Sequence, residues 1–178
     1  MIKLYGVSTM RHTTHPMDVY VDGACLNNGR KNARAGSGAY WGPGCARNVS
    51  VRVPGAQTNN RAEVFAVLCV LRNESPQKPL HVYSDSEYVM ESLITRGPQN
   101  AARGWDVTNG DLLRDAASLL RRRPAPVTFI QVKGHIGLKP HDMADSLAKD
   151  GALLPDAPHY APLTDQSCLC SFRSRASA

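Results

Sequence analysis

The order in which the hydrophobic period changes along residues 17–154 constrains this chain more than any other feature. Residues 17–26, about 34–42 and about 47–53 read as three strands, joined by the polar, Gly-rich turns "NNGRKNARAG" and "WGPGCARN". "TNNRAEVFAVLCVLRNE" then switches to helical spacing, with Thr58 or Asn59 as N-cap and no Gly or Pro in its body. "PLHVYSD" is a fourth strand, and "SEYVMESLI" is a helix ended near Gly97-Pro98. "NGDLLRDAASLLRRR" is a helix stopped by Pro124, and "PVTFIQVKG" is a fifth strand. "KPHDMADSLAKDG" is the last helix, with Pro140 near its start and Gly151 past its end. The series βββαβααβα predicts an α/β fold. A three-strand antiparallel meander and two parallel strands form a five-stranded mixed sheet, with helices on both faces.

The acids fall where such a sheet would gather them. Asp22 closes the first strand and Asp85 the fourth. If those strands are parallel neighbours, their ends lie about 5 Å apart, at the carboxyl edge where open α/β sheets place ligands. Glu63 lies early in the first helix with Val67 and Val70 on its own face, and therefore points inward. Asp145 lies early in the last helix. Each has a structural alternative. Asp22 and Asp85 suit strand-end turns, and Asp145 suits the helix dipole or a pair with Lys149. Together they are harder to explain, because gathered carboxylates repel unless a cation bridges them. An all-oxygen set without clustered Cys or His favours Mg²⁺ or Mn²⁺ over Zn²⁺.

Composition narrows the rest. The 178 residues suffice for one domain with a real core. No run approaches the roughly 18 apolar residues of a membrane helix, so no membrane partner is expected, and the chain reads as a monomer. Five cysteines without zinc-like spacing favour reduced thiols over a disulfide frame, with Cys25, Cys45 and Cys69 in the core. That points to an intracellular protein, of nucleus, cytoplasm or organelle. The first sixteen residues read as an N-terminal extension compatible with a weak transit peptide, and residues 155–178 as a Pro- and Ser-rich tail carrying Cys168 and Cys170. Residues 17–154 hold 17 basic and 13 acidic residues, +4 of the net +6. A mild positive balance suits a polyanion partner.

The segments "YVDGAC", "AGSGAYWGPG", "TNNRAEVFAV", "YSDSEYV", "GHIG" and "HDMADSLAKDGA" resemble, in order, the type 1 ribonucleases H, and the eukaryotic branch more than the bacterial one. The resemblance covers about residues 17 to 152 and implies the ribonuclease H-like fold. It implies a metal-dependent nuclease that hydrolyses the RNA strand of RNA–DNA hybrids with two Mg²⁺ ions, Mn²⁺ being a possible substitute. Asp22, Glu63, Asp85 and Asp145 would hold the ions, and His135 of "GHIG" would assist proton transfer or product departure. Asn27, Asn28 and Asn60, with the backbone around Cys25, match positions that contact RNA riboses. Thr58, Asn59 and Asn109 match positions on the DNA-strand side, and Trp105 matches a family tryptophan. Capping and turn formation are the alternative for these polar residues.

The chain departs from the family in several places. "TRGPQNAARGWDVT" stands where many relatives carry a basic, Trp-containing protrusion, with Asn100 at the position of one tryptophan. Ala56 replaces an arginine, which with the first change predicts weaker, more salt-sensitive binding. His141 replaces an asparagine just ahead of the last helix, either as a partner of Asp145 or as a cap. Sixteen residues leave no room for the separate hybrid-binding domain of many eukaryotic relatives. Arg121, Arg122 and Arg123 either replace part of its charge or decorate a helix end. Two other readings stay open: a hybrid-binding module without catalysis, and another nuclease of the same superfamily.

Overall fold

In the computed structural model, residues 2–4, 15–134, 138–157 and 159–163 are described. The expected meander forms as β2 (Met17–Leu26), β3 (Arg34–Tyr40) and β4 (Val49–Arg52), paired antiparallel with Asp22 opposite Gly38. Helix α1 (Asn59–Asn73) crosses to β5 (Leu80–Ser84), which pairs in parallel with β2 and with β6 (Val127–Gln131). Among the described residues the N-terminal segment adds a sixth, antiparallel edge strand, β1 (Ile2–Leu4), opposite Phe129 to Val127. The sheet order is β1-β6-β5-β2-β3-β4. The three residues "IKL" are too few for a period to be read, so nothing in the sequence marks them as a strand.

One face of the sheet carries α1 and α4 (Gly110–Arg122). Val19 and Val21 of β2 and Val82 of β5 pack there with Val64, Val67 and Leu68 of α1 and Leu112, Leu113, Ala116 and Leu120 of α4, all essentially buried. The other face carries α5 (Lys139–Leu153), laid close over β3. A Cβ on Gly36 or Gly38 would overlap the backbone of Ala152 or Ala144, so this approach needs glycine. Gly151 lies inside α5 rather than past its end, and glycine is needed there because a side chain would sit 2.6 Å from the Val51 carbonyl oxygen. Arg34 and Arg52 then satisfy the helix's last carbonyls: Arg34 Nε donates to Ala152 O at 2.9 Å and Arg52 Nη1 to the same oxygen at 2.6 Å.

Two further segments differ from expectation. The helix after β5 starts as α2 (Glu87–Val89), widens into a π-helical segment, Met90–Thr95, and is interrupted at Arg96. Gly97-Pro98 then opens a new helix, α3 (Gly97–Ala102), because Pro in a first turn loses no hydrogen bond. Asn100 is buried and donates to Ser92 O at 2.9 Å, serving a carbonyl of the widened turn. The first part of the expected tail is also docked. Tyr160 packs edge-on against Phe65, its hydroxyl donates to the buried Asp115, and Leu163 N donates to the same carboxylate at 2.7 Å. A lone Tyr in a Pro-rich stretch gives no periodic signal for such docking.

Candidate metal centre

Asp22 lies two residues past Tyr20, which pairs with Tyr83 across the parallel β2–β5 ladder, and Asp85 lies two residues past Tyr83. The two carboxylates therefore leave the same edge of the sheet. Gly23 brings the third. A Cβ there would sit 2.7 Å from the Ala62 carbonyl carbon and overlap the Glu63 nitrogen, so its absence lets the first turn of α1 rest on β2. Ser37 Oγ fixes that contact by donating to Ala62 O at 2.7 Å. One carboxylate oxygen each from Asp22, Glu63 and Asp85 then falls within 4.8 Å of the others.

Within this cluster the Glu63 carboxylate is poorly compensated. Asp22 and Glu63 are buried, and Asp85 is half-buried. Burial first, and the Asp85 charge second, push the Asp22 carboxyl up to about 6, although Gly23 N donates to it at 2.7 Å. Burial, then Asp22 and Asp85, push Glu63 well above the carboxylate range. Its Oε1 accepts a long 3.4 Å contact from Asn59 Nδ2, and its buried Oε2 has no hydrogen-bond partner among the described residues. Buried His141 faces the pair, with Nε2 3.5 Å from Asp85 Oδ1 and Nδ1 4.0 Å from Asp22 Oδ2. These separations exceed an ordinary hydrogen bond, so the contact is mainly electrostatic. Asp85 nonetheless holds the imidazole above its usual value against the opposing effect of burial. An unpartnered buried oxygen amid like charges, with oxygen donors only, fits a hard divalent cation.

Asp145 stands apart from the three. Its Oδ2 accepts from Lys149 Nζ at 2.6 Å, one turn along α5, the pairing that the i,i+4 spacing allows. Its charge still contributes to the rise of Asp22, so it borders the cluster without joining it.

The ribonuclease H family model matches residues 14–153. The chain is 36% identical over 140 residues to human Ribonuclease H1, covering 75% of this chain and 49% of that protein. It is 39% identical over 141 residues to a Schizosaccharomyces pombe Ribonuclease H, covering 75% and 52%. This chain belongs to the ribonuclease H family. Among solved structures, a type 1 ribonuclease H described as carrying the type 2 active-site motif superposes with a TM-score of 0.60 at 26% identity, over 76% of this chain and 71% of that one. The chain thus spans about half the length of these two curated ribonucleases H.

The other expected residues fall into three groups. The first surrounds the start of α1. Asn27, at φ 54, and Asn28 lie exposed in the turn after β2, and Asn60 is exposed in the first turn of the helix. Cys25 is half-buried, with Sγ 3.4 Å from Gln57 O, which ties the end of β2 to the segment leading into α1. Thr58 caps the helix, its Oγ1 accepting from Arg61 N at 3.3 Å, whereas the Asn59 amide turns to Glu63. The second group is the α4 entrance. Asn109, at φ 60, donates to Tyr88 Oη at 3.1 Å, and Trp105, at φ 63, is partly buried against the core. His135 forms the third group and lies outside the described residues. Gly134 just before it packs on Asp85, where a Cβ would overlap Oδ2.

Several roles are invisible in sequence. His141 neither caps α5, whose N-cap is Leu138, nor pairs with Asp145 among the described residues; it meets Asp22 and Asp85. Arg61 joins α1 to α4, clasping Asp111 through two bonds of 2.9 and 2.7 Å while Nε donates to Pro54 O. Arg123 is buried and donates to Glu74, Ser75 and Lys78 carbonyls, so it belongs to the fold rather than to a binding face. The cysteines Cys25, Cys45 and Cys69 are free, but only Cys69 is buried. No helix among the described residues is long and apolar enough to cross a membrane.

Proposed function

We propose that this chain is an endoribonuclease that hydrolyses the RNA strand of RNA–DNA hybrids, with Mg²⁺, or Mn²⁺ in its place, leaving 5′-phosphate and 3′-hydroxyl ends. The observation that carries this reading is the Asp22–Glu63–Asp85 cluster with its unpartnered Glu63 oxygen, in a chain of this family. Asp22, Glu63 and Asp85 would hold the ions, and Asp145 would join them by leaving Lys149. Divalent ions held there would supply an activated hydroxide and charge stabilisation of the departing 3′ oxygen.

The remaining roles belong to the chain's own groups. Asn59 restrains the Glu63 carboxylate, and His141 offsets the charge of Asp22 and Asp85 until metal binds. Asn27, Asn28 and Asn60 present amides, each able to donate and accept, at the exposed end of β2 and the start of α1. That chemistry suits a 2′-hydroxyl, the group that separates RNA from DNA. Thr58 and Asn109 would position the second strand, Asn109 being held in its left-handed turn by Tyr88. His135 would assist proton transfer or product departure. The free thiols support an intracellular setting.

The test is incubation with hybrid, double-stranded RNA, double-stranded DNA and four-way junctions, with Mg²⁺ and then with EDTA. Cleavage is expected in the RNA of the hybrid alone. Asp85→Asn should lower it more than about 100-fold, since losing a ligand exceeds the usual 10–100-fold cost of losing a ligand's outer partner. Cleavage of double-stranded DNA, or hybrid cleavage indifferent to EDTA, would overturn the reading.

A further inference from the structure

Outside the acid edge, the outward face of α4 forms a basic groove of about 310 Å³, lined by Trp105, Arg114, Ala117, Ser118, Arg121 and Arg122. The α4 residues are spaced i, i+3, i+4, i+7 and i+8, so they share one helix face about 12 Å long. No acid lines it. Both acids of α4 are engaged elsewhere: Asp111 is clasped by Arg61, and Asp115 is turned inward to Tyr160 and Leu163. Arg114, Arg121 and Arg122 are exposed, and Arg114 reaches Asp115 only at 3.4 Å. The groove joins the metal centre through a continuous run of contacts. Arg61, two residues before Glu63, meets Asn109 and Asp111 at the head of α4, and the Trp105 backbone packs on Gly110.

From that head, α4 runs away from the acid edge. Arg123 at its far end donates to the Lys78 carbonyl, before the start of β5. A stiff duplex lying on the acid edge cannot turn down this side, because its persistence length is about 150 base pairs. A flexible single strand can. Arginines along a groove with an aromatic side chain at one end match the usual chemistry of single-strand binding.

We propose that the α4 groove binds an unpaired nucleic-acid strand leaving the hybrid, and so supplies backbone grip that this chain lacks in its reduced segment 95–108. The proposal rests on the reading of the acid edge as a hybrid site. Arg114 and Arg121 contact phosphates, Ser118 lies between them, and Trp105 offers its ring to a base or sugar.

The test measures binding by fluorescence anisotropy, with Ca²⁺ replacing Mg²⁺. The substrates are a blunt hybrid and the same hybrid with ten unpaired thymidines, placed at each end in turn. One of the two overhangs should tighten wild-type binding about five- to tenfold at low salt, with a salt slope steeper by about 1.4 for two phosphates. Arg121→Glu should erase that gain and leave the blunt hybrid within twofold, and Arg121→Lys should keep most of it. Ser118→Lys should enlarge the gain, a result that misfolding cannot produce. Asp150→Asn makes the same charge change on the opposite face and should not enlarge it. Equal binding of blunt and overhanging hybrids by the wild type, or an equal loss on both in Arg121→Glu, overturns the proposal. Its failure is separable from that of the catalytic reading, which stands or falls on cleavage of the blunt hybrid.

Discussion

Replacing Asp22 by Asn should stabilise the metal-free protein while abolishing its response to Mg²⁺. The Asp22 carboxyl sits at about 6 instead of 3.8, mainly through burial and then through Asp85. The native state therefore holds that proton more tightly than the unfolded chain. Its contribution to stability is full at low pH and is lost as pH rises through the window from about 4 to about 6. A rise of this size costs the charged, folded form about 3 kcal/mol above that window, an upper bound because Asp85 and Glu63 share the repulsion. Asparagine keeps an acceptor for the Gly23 amide and removes the charge. At pH 8 in EDTA, Asp22→Asn should gain about 1–3 kcal/mol, or about 2–10 °C in melting temperature for a chain of this size. Near pH 4 the gain should shrink towards nothing. Added Mg²⁺ should raise the melting temperature of the wild type and not of the variant. Scanning calorimetry at both pH values, with and without metal, reads all of this. A variant that melts below the wild type at pH 8 in EDTA, or that gains from Mg²⁺ as the wild type does, refutes the reasoning.

Gly38→Ala would drive a methyl into the Ala144 carbonyl of α5; it should cost about 1–3 kcal/mol in urea unfolding and lower cleavage as α5 shifts. Lys149→Met frees Asp145 from an ion pair whose lysine is 56% exposed; exposed pairs are worth about 0–1 kcal/mol, so half-maximal cleavage should need up to about fivefold less Mg²⁺. His141→Asn removes a basic group that competes with metal for Asp22 and Asp85. It should tighten Mg²⁺ binding by calorimetric titration, with the larger effect at pH 6, where the imidazole is more fully protonated.

Much of the fold is legible in the sequence because strong periods sit between strong punctuation. Val19 and Val21 announce β2, and Thr58-Asn59 announces the start of α1, Thr58 being the cap. Glu63 can be placed inward because its helical neighbours are apolar, and Asp22 and Asp85 can be paired because each ends an apolar run, although β2 itself continues past Asp22 to Leu26. Asp145 falls on the expected element, but its partner depends on a rotamer, and the alternative pairing with Lys149 is the one seen. His141 cannot be assigned, because its contacts cross from α5 to two strands and leave no mark in local spacing. The docking of Tyr160 on Asp115 and the clasp of Arg61 on Asp111 are likewise long-range pairings of single polar residues. The π-helical segment Met90–Thr95 is hidden for another reason: one residue added to a helical turn does not alter a short apolar pattern enough to be seen.

The central claim is that the acids of this sheet edge hold divalent cations, and anomalous scattering from a crystal grown with Mn²⁺ and a hybrid tests it most directly. Two peaks about 3.5–4 Å apart are expected among Asp22, Glu63 and Asp85, with Asp145 swung away from Lys149 to reach one of them. A crystal with hybrid bound and no manganese at these carboxylates would contradict the account.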